Sequence, residues 1–90
     1  MKINITQEDI NNGHLSEPDK CPIALAIMGE IQEATNVHVD TEDTTFYVFG
    51  KLLAYWNPEE TMDFISAFDS GDIVEECVLH LNLQEEEYEN

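Results

Sequence analysis

The sequence contains no arginine and only three lysines, whereas twenty of its 90 residues are aspartate or glutamate. The formal net charge is therefore −17 at pH 7. Proteins that bind nucleic acid directly neutralise phosphates with lysine and arginine, and arginine fingers or bidentate phosphate sites need guanidinium groups. The composition excludes these roles, and any partner of the chain is expected to be basic.

The chain also lacks a long apolar run. No stretch approaches the roughly 18 apolar residues of a membrane-spanning helix. The first six residues do not have the apolar core of a signal peptide. Cys21 and Cys77 fit a reducing compartment in which thiols stay free, and a disulfide between them is the alternative. These features favour a cytosolic protein that is not associated with a membrane.

The sequence does contain enough apolar residues for one small domain. The hydrophobic content is 42%, which is close to globular usage and above that of disordered chains. Residues 84–90 hold only four of the twenty acids, namely Glu85, Glu86, Glu87 and Glu89. We therefore expect a strongly acidic domain over residues 1–83 and an acidic tail over residues 84–90.

Hydrophobic periodicity predicts the elements of the first half of the chain. Alternating apolar residues predict a strand over residues 2–6, and Thr6 is a good N-cap for a helical turn over residues 7–10. After a loop, Pro22 at a first helical position predicts a longer helix. The apolar residues of this helix recur at three- and four-residue intervals: Ile23, Ala24, Ile27, Met28 and Ile31.

β-Branched and aromatic residues predict a hairpin in the middle of the chain. Residues 37–39 and 45–49 are typical of strands, and the acidic segment 40–43 between them suits a turn. Asn57 as N-cap and Pro58 at the first helical position then predict a second helix that ends near Gly71. Its inward side chains are expected to be Met62, Phe64, Ile65 and Phe68.

A final strand over residues 77–83 completes the order β-α-β-β-α-β. This order matches the ferredoxin-like α+β sandwich, so the sequence predicts an α+β domain of that kind. Two aromatic residues precede the second helix. Trp56 is expected to pack into the core, whereas Tyr55 fits either the core or a partner interface.

Three segments together resemble a family of small, mostly uncharacterised proteins encoded by bacteriophages. They are Asp9-Ile10 with Gly13, Cys21-Pro22-Ile23-Ala24-Leu25-Ala26, and Phe64-Ile65 with Phe68-Asp69-Ser70-Gly71. The resemblance spans about residues 3–83, and its most specific part is the segment that begins at Cys21. It implies a phage or prophage origin and a bacterial host cell, and it brings no enzymatic activity or catalytic residues. The chain departs from the family pattern in its acidity.

The sequence offers little for catalysis or for a cofactor. His14, His38 and His80 lie in separate elements without zinc-ligand spacing, and the acidic turn lacks the glycine and spacing of an EF-hand loop. No phosphate-binding glycine loop or nucleophile elbow occurs. A reactive thiol at Cys21 is the sharpest enzymatic alternative, although nearby carboxylates oppose its ionisation. We expect a protein without catalytic activity, cofactor or metal.

The acids fall into groups that could form one binding surface for a basic protein. In one interpretation they imitate a nucleic-acid backbone, and the chain inhibits a host CRISPR effector or restriction enzyme. In the other they cap helices and maintain solubility, and the chain is a phage adaptor or a homodimer whose acidity is incidental. The candidate partner-binding residues are Asp40, Glu42, Asp43, Tyr55, Glu59, Glu60, Asp63, Asp69, Asp72, Glu75 and Glu76.

Overall fold

The computed structural model describes residues 1–84, and these residues form three helices and six strands. The predicted acidic residues of the tail, from position 85 onward, lie outside the described residues. The elements in chain order are β1 (Lys2–Ile5), α1 (Gln7–Asn12), α2 (Pro22–Glu30), β2 (Ala34–Val39), β3 (Asp43–Val48), β4 (Lys51–Trp56), α3 (Glu59–Asp69), β5 (Cys77–His80) and β6 (Asn82–Leu83).

The first helix begins at a capping box that local sequence predicts. The Thr6 hydroxyl accepts a hydrogen bond from the backbone N–H of Asp9 at 3.1 Å, and the Asp9 carboxylate accepts one from the backbone N–H of Thr6 at 3.0 Å. Both groups are within one turn of each other, so no distant contact is needed to form the box. The predicted start of α1 is confirmed.

The strands divide between two antiparallel sheets. β1 pairs with β5 in a two-stranded sheet, and the other sheet has the order β2-β3-β4-β6. Helix α2 packs against β1 and β2, so it joins one strand of each sheet. The α+β class is confirmed. The ferredoxin-like arrangement is not confirmed, because the described strands form two sheets and include β4, which the sequence pattern did not predict. The single strand predicted over residues 77–83 is wrong, because these residues form β5 and β6, which belong to different sheets.

The core lies between the sheets and the helices. β1 contributes Ile3 and Ile5, and β3 contributes Phe46, whose ring is fully buried and stacks on Tyr55 at a centroid distance of 5.7 Å. β2 contributes Val37 and Val39, and the larger remaining buried apolar side chains come from the helices and from the C-terminal part of the described chain: Ile23, Ile27, Phe64, Ile65, Phe68, Leu79 and Leu81. Met62, which was expected to face inward, is half-buried, and Met28 is exposed on α2.

Strand β2 is an edge of the four-stranded sheet and carries a β-bulge. Its register with β3 shifts between Thr35 and His38, and Asn36 within the bulge has a positive φ of 53°. Asparagine tolerates this left-handed conformation better than most residues. A bulge twists an edge strand and discourages another strand from pairing with it.

Candidate functional site

The acidic turn between β2 and β3 is held in place by one buried side chain. Asn57 follows β4 and is 5% exposed. Its amide nitrogen donates to the carbonyl oxygens of Asp40 at 2.7 Å and Thr41 at 3.1 Å, and its amide oxygen accepts from the Thr44 hydroxyl at 2.8 Å. The backbone N–H of Asn57 also donates to the carbonyl of Glu42 at 2.9 Å.

Asn57 therefore has a different role from the predicted one. The N-cap of α3 is Pro58, and the helix begins at Glu59. The amide of Asn57 is engaged by a turn 16 and 17 residues earlier in the chain, and a tertiary partner of this kind replaces a local cap. We call Asp40, Glu42 and Asp43 the acidic tip, and its backbone is fixed beside the start of α3.

The other predicted acids do not all join the acidic tip. Glu59, Glu60 and Asp63 are exposed in the first part of α3, but Glu60 is within 3.2 Å of Nδ1 of His80 on β5. Glu59 lies only two residues after Asn57, so the first turn of α3 is near the acidic tip. The Glu60 carboxylate is thus directed toward the two-stranded sheet.

Two predicted acids accept hydrogen bonds from distant backbone N–H groups, one in a loop and one at the start of α1. The Asp69 carboxylate accepts from the backbone N–H of Ser16 at 2.9 Å, and that of Glu76 accepts from the backbone N–H of Gln7 at 3.0 Å. Ser16 has a positive φ of 58°, so its hydrogen bond to the Asp69 carboxylate holds a strained loop residue. Asp72 and Glu75 are exposed between α3 and β5. Asp69 and Glu76 therefore have structural uses that sequence grouping alone did not separate from partner binding.

The four-stranded sheet has a second surface that sequence reasoning missed. Side chains alternate along β3 and β4, so Phe46, Leu53 and Tyr55 face the core while Tyr47 and Leu52 face outward. Trp56 also faces outward, directly opposite Asp43 of the acidic tip. We call the outward surface of this sheet the open face, because the described residues leave Leu52 52% exposed and Trp56 54% exposed.

The two aromatic residues before α3 differ in their environments. Tyr55 is half-buried and stacks on Phe46, which makes it a core residue and leaves little of its ring for a partner. The expectation that Trp56 packs into the core is wrong, since more than half of its side chain is exposed. The apolar run of β4 hid this difference, because its inward and outward residues are equally hydrophobic.

Cys21 lines a cavity of about 180 Å³ between the loop after α1 and helix α3. It is the N-cap residue of α2, and its side chain makes no capping hydrogen bond. Burial raises the pKa of its thiol, and the nearby Asp69 carboxylate raises this pKa further, whereas the backbone N–H groups of Ala24 and Ile23 lower it. Burial dominates, so the site disfavours the thiolate that nucleophilic catalysis needs.

We expect alkylation of the native protein to distinguish the two thiols. Both cysteines are free, but Cys21 is only 7% exposed, whereas Cys77 is half-buried. Burial, and after it the charge of Glu60, also raises the pKa of the Cys77 thiol. Because the pKa of both thiols is raised, solvent access decides their relative alkylation rates. Iodoacetamide should modify Cys77 first, as measured by mass spectrometry of peptides. In denaturant the rates should converge, and faster native modification of Cys21 would contradict this environment.

Three further observations concern metal binding, membrane spanning and similarity to known proteins. Residues 1–84 contain no group of three or more histidine, cysteine, aspartate or glutamate side chains that could hold a metal ion. In the same part of the chain, no helix is long and apolar enough to cross a membrane. Comparison with protein-family models, curated proteins and solved structures found no match. The resemblance to bacteriophage proteins stays a prediction.

Proposed function

We propose that this protein is a phage-encoded inhibitor that binds a basic, nucleic-acid-binding defence protein in the cytoplasm of a bacterial host. The target class is a CRISPR effector or a restriction enzyme. The observation that carries the proposal is the acidic tip of a chain with a net charge of −17, because the buried Asn57 fixes the backbone that bears its carboxylates beside the start of α3. Carboxylates on a fixed backbone can match a basic groove at a lower entropic cost than carboxylates on a mobile segment.

The mechanism is competitive exclusion without catalysis. A basic groove attracts the acidic protein from a distance, which accelerates encounter and makes association sensitive to salt. Once bound, the acidic tip occupies positions that phosphates of the nucleic acid would take. The inhibitor needs neither a cofactor nor a metal, because charge and shape are sufficient for exclusion.

Charge reversal at the acidic tip tests this function. A pull-down from bacterial lysate at low salt and at ~0.5 M salt first identifies a partner, since high ionic strength screens exposed charges. The purified partner is then bound to labelled DNA or RNA, and displacement by the protein is measured. The double variant Glu42→Lys with Asp43→Lys should displace the nucleic acid at least about tenfold less effectively, because several charge contacts with the partner become repulsive.

A matched control separates the effect of the acidic tip from the effect of total charge. The double variant Glu8→Lys with Glu33→Lys changes the net charge by the same amount at two exposed positions away from the acidic tip. It should retain most of the displacement activity. Equal losses in both double variants would show that only total charge matters, and a partner that resists high salt and does not bind nucleic acid would reject the inhibitor.

The open face favours a second candidate function, that of a non-enzymatic adaptor or homodimer. Exposed Leu52 and Trp56 on one sheet surface are typical of protein interfaces, where aromatic residues are often hot spots. In this case the acidity is incidental and binding should survive high salt. Substitution of Trp56 should then weaken association more than charge reversal at the acidic tip.

A further inference from the structure

We infer that the open face is a docking surface for a segment of a protein partner that carries arginine followed by apolar side chains. The arginine lies over Trp56 beside the acidic tip, and the apolar side chains cover Leu52 and the turn at Phe49. The inference rests on the proposed function in one respect, namely that the partner is basic. It adds that the partner is held by an apolar contact as well as by charge.

The open face changes in character along its length. At one end Trp56 lies opposite Asp43, so an indole ring and a carboxylate are adjacent. At the other end Tyr47 pairs with Leu52 next to the turn between β3 and β4. Since a strand rises about 3.4 Å per residue, the two ends of β3 are about 17 Å apart. One surface thus has an anionic aromatic end and an apolar end.

The backbone conformation of Phe49 is strained, and its local structure does not explain the strain. With Gly50 it forms the two-residue turn between β3 and β4, and both have positive φ, 52° and 78°. Such turns favour asparagine or glycine at the first position, and a bulky residue there is strained. The Phe49 side chain is nevertheless 87% exposed. A strained, exposed aromatic residue is a sign of binding rather than of folding.

Charge complementarity identifies the occupant as cationic. A guanidinium group stacks well on an indole ring, and the adjacent carboxylate of Asp43 can pair with it. A second copy of the chain would bring another charge of −17 and no arginine to the same surface. Self-association is therefore opposed by repulsion, whereas an arginine-bearing segment is attracted.

The intrinsic fluorescence of Trp56 provides a direct test, because it is the only tryptophan in the chain. The probe is a short peptide with arginines in its first half and leucines in its second half, titrated into the full-length protein. We expect a saturable change in emission that persists in part at ~0.5 M salt, where screening removes most of the charge contribution. The same peptide with serine in place of leucine should bind at least about tenfold more weakly, because leucine burial is lost.

Three variants decide the location and meaning of the binding. Leu52→Ser should weaken binding of the leucine-containing peptide at least about tenfold, since one buried leucine contributes that order of affinity. Val78→Ser is the matched control, because Val78 is 48% exposed on the two-stranded sheet and should have no effect. Phe49→Asn should raise Tm, because asparagine relieves the backbone strain of the turn, and yet it should weaken peptide binding. A purely structural role of Phe49 would not produce this combination.

Several results would overturn the inference. They are equal binding of the serine peptide, equal effects of Leu52→Ser and Val78→Ser, and a dimer in analytical ultracentrifugation that Leu52→Ser dissociates. Displacement of nucleic acid is a separate readout. If the peptide binds as expected but the protein displaces no nucleic acid from a partner, the inhibitor function fails and the docking surface stands. If displacement occurs but Leu52→Ser changes nothing, the docking surface fails alone.

Discussion

Replacing Phe46 by alanine should lower the free energy of unfolding by about 3–5 kcal/mol, which is a large part of the ~5–15 kcal/mol that stabilises a typical domain. Phe46 has no exposed surface and its ring stacks on Tyr55, so the substitution removes buried area and leaves a cavity. The aromatic pair adds to the loss. Urea unfolding followed by circular dichroism measures the change.

Phe49→Ala is the matched control for this prediction. It removes the same side chain three residues later, but Phe49 is on the surface of a turn and buries little area. We expect its unfolding free energy to stay within about 0.5 kcal/mol of the original value, as for most surface substitutions. Similar losses at both positions would contradict the burial of Phe46 and the exposure of Phe49.

The elements that sequence predicted well depend on neighbouring residues. The capping box at Thr6 and Asp9 lies within four residues, and the hairpin over the acidic turn closes between Asp40 and Asp43. Pro22 begins α2 at the position that its missing N–H and fixed φ favour. In each case the deciding interaction is local, so a single sequence contains it.

Strand β4 could not be predicted, for a reason that bears on function. Strand prediction depends on apolar and polar residues alternating, and β4 from Leu52 to Trp56 is apolar on both faces. The inward face packs on the core, whereas the outward face is exposed in the described structure. An apolar residue at an outward position breaks the folding pattern, and such breaks are expected at functional surfaces. The missed strand and the candidate docking surface therefore have one cause.

Asn57 shows the limit of local rules at the candidate site. Asparagine before proline and two glutamates is typical of a helix N-cap, and the sequence contains no sign of another use. The structure instead uses both ends of its amide for the turn at Asp40 and Thr41 and for the Thr44 hydroxyl. These partners are 13 to 17 residues away, and only the pairing of β3 with β4 brings them close.

Replacing Asn57 by alanine should weaken partner binding without changing the charge of the protein. The substitution leaves the buried Thr44 hydroxyl without its acceptor and removes two donors from the acidic tip, at a cost of about 1–3 kcal/mol of unfolding free energy. Hydrogen exchange at the backbone N–H of Asp40, which closes the turn to Asp43, should accelerate. Displacement of nucleic acid from the partner should fall as the carboxylates lose their fixed positions.

Two further variants separate the amide's donors from its acceptor. Asn57→Asp keeps an oxygen for Thr44 but loses both donors and places a negative charge against two carbonyl groups, so it should loosen the acidic tip at least as much as alanine does. Thr44→Val removes the hydroxyl and leaves the two donor bonds of Asn57 intact, so the acidic tip should stay ordered and displacement should persist. If Asn57→Ala accelerates exchange at Asp40 while displacement is unchanged, a fixed tip is unnecessary for binding. The inhibitor would then act through total charge, because that is the property the alanine variant retains.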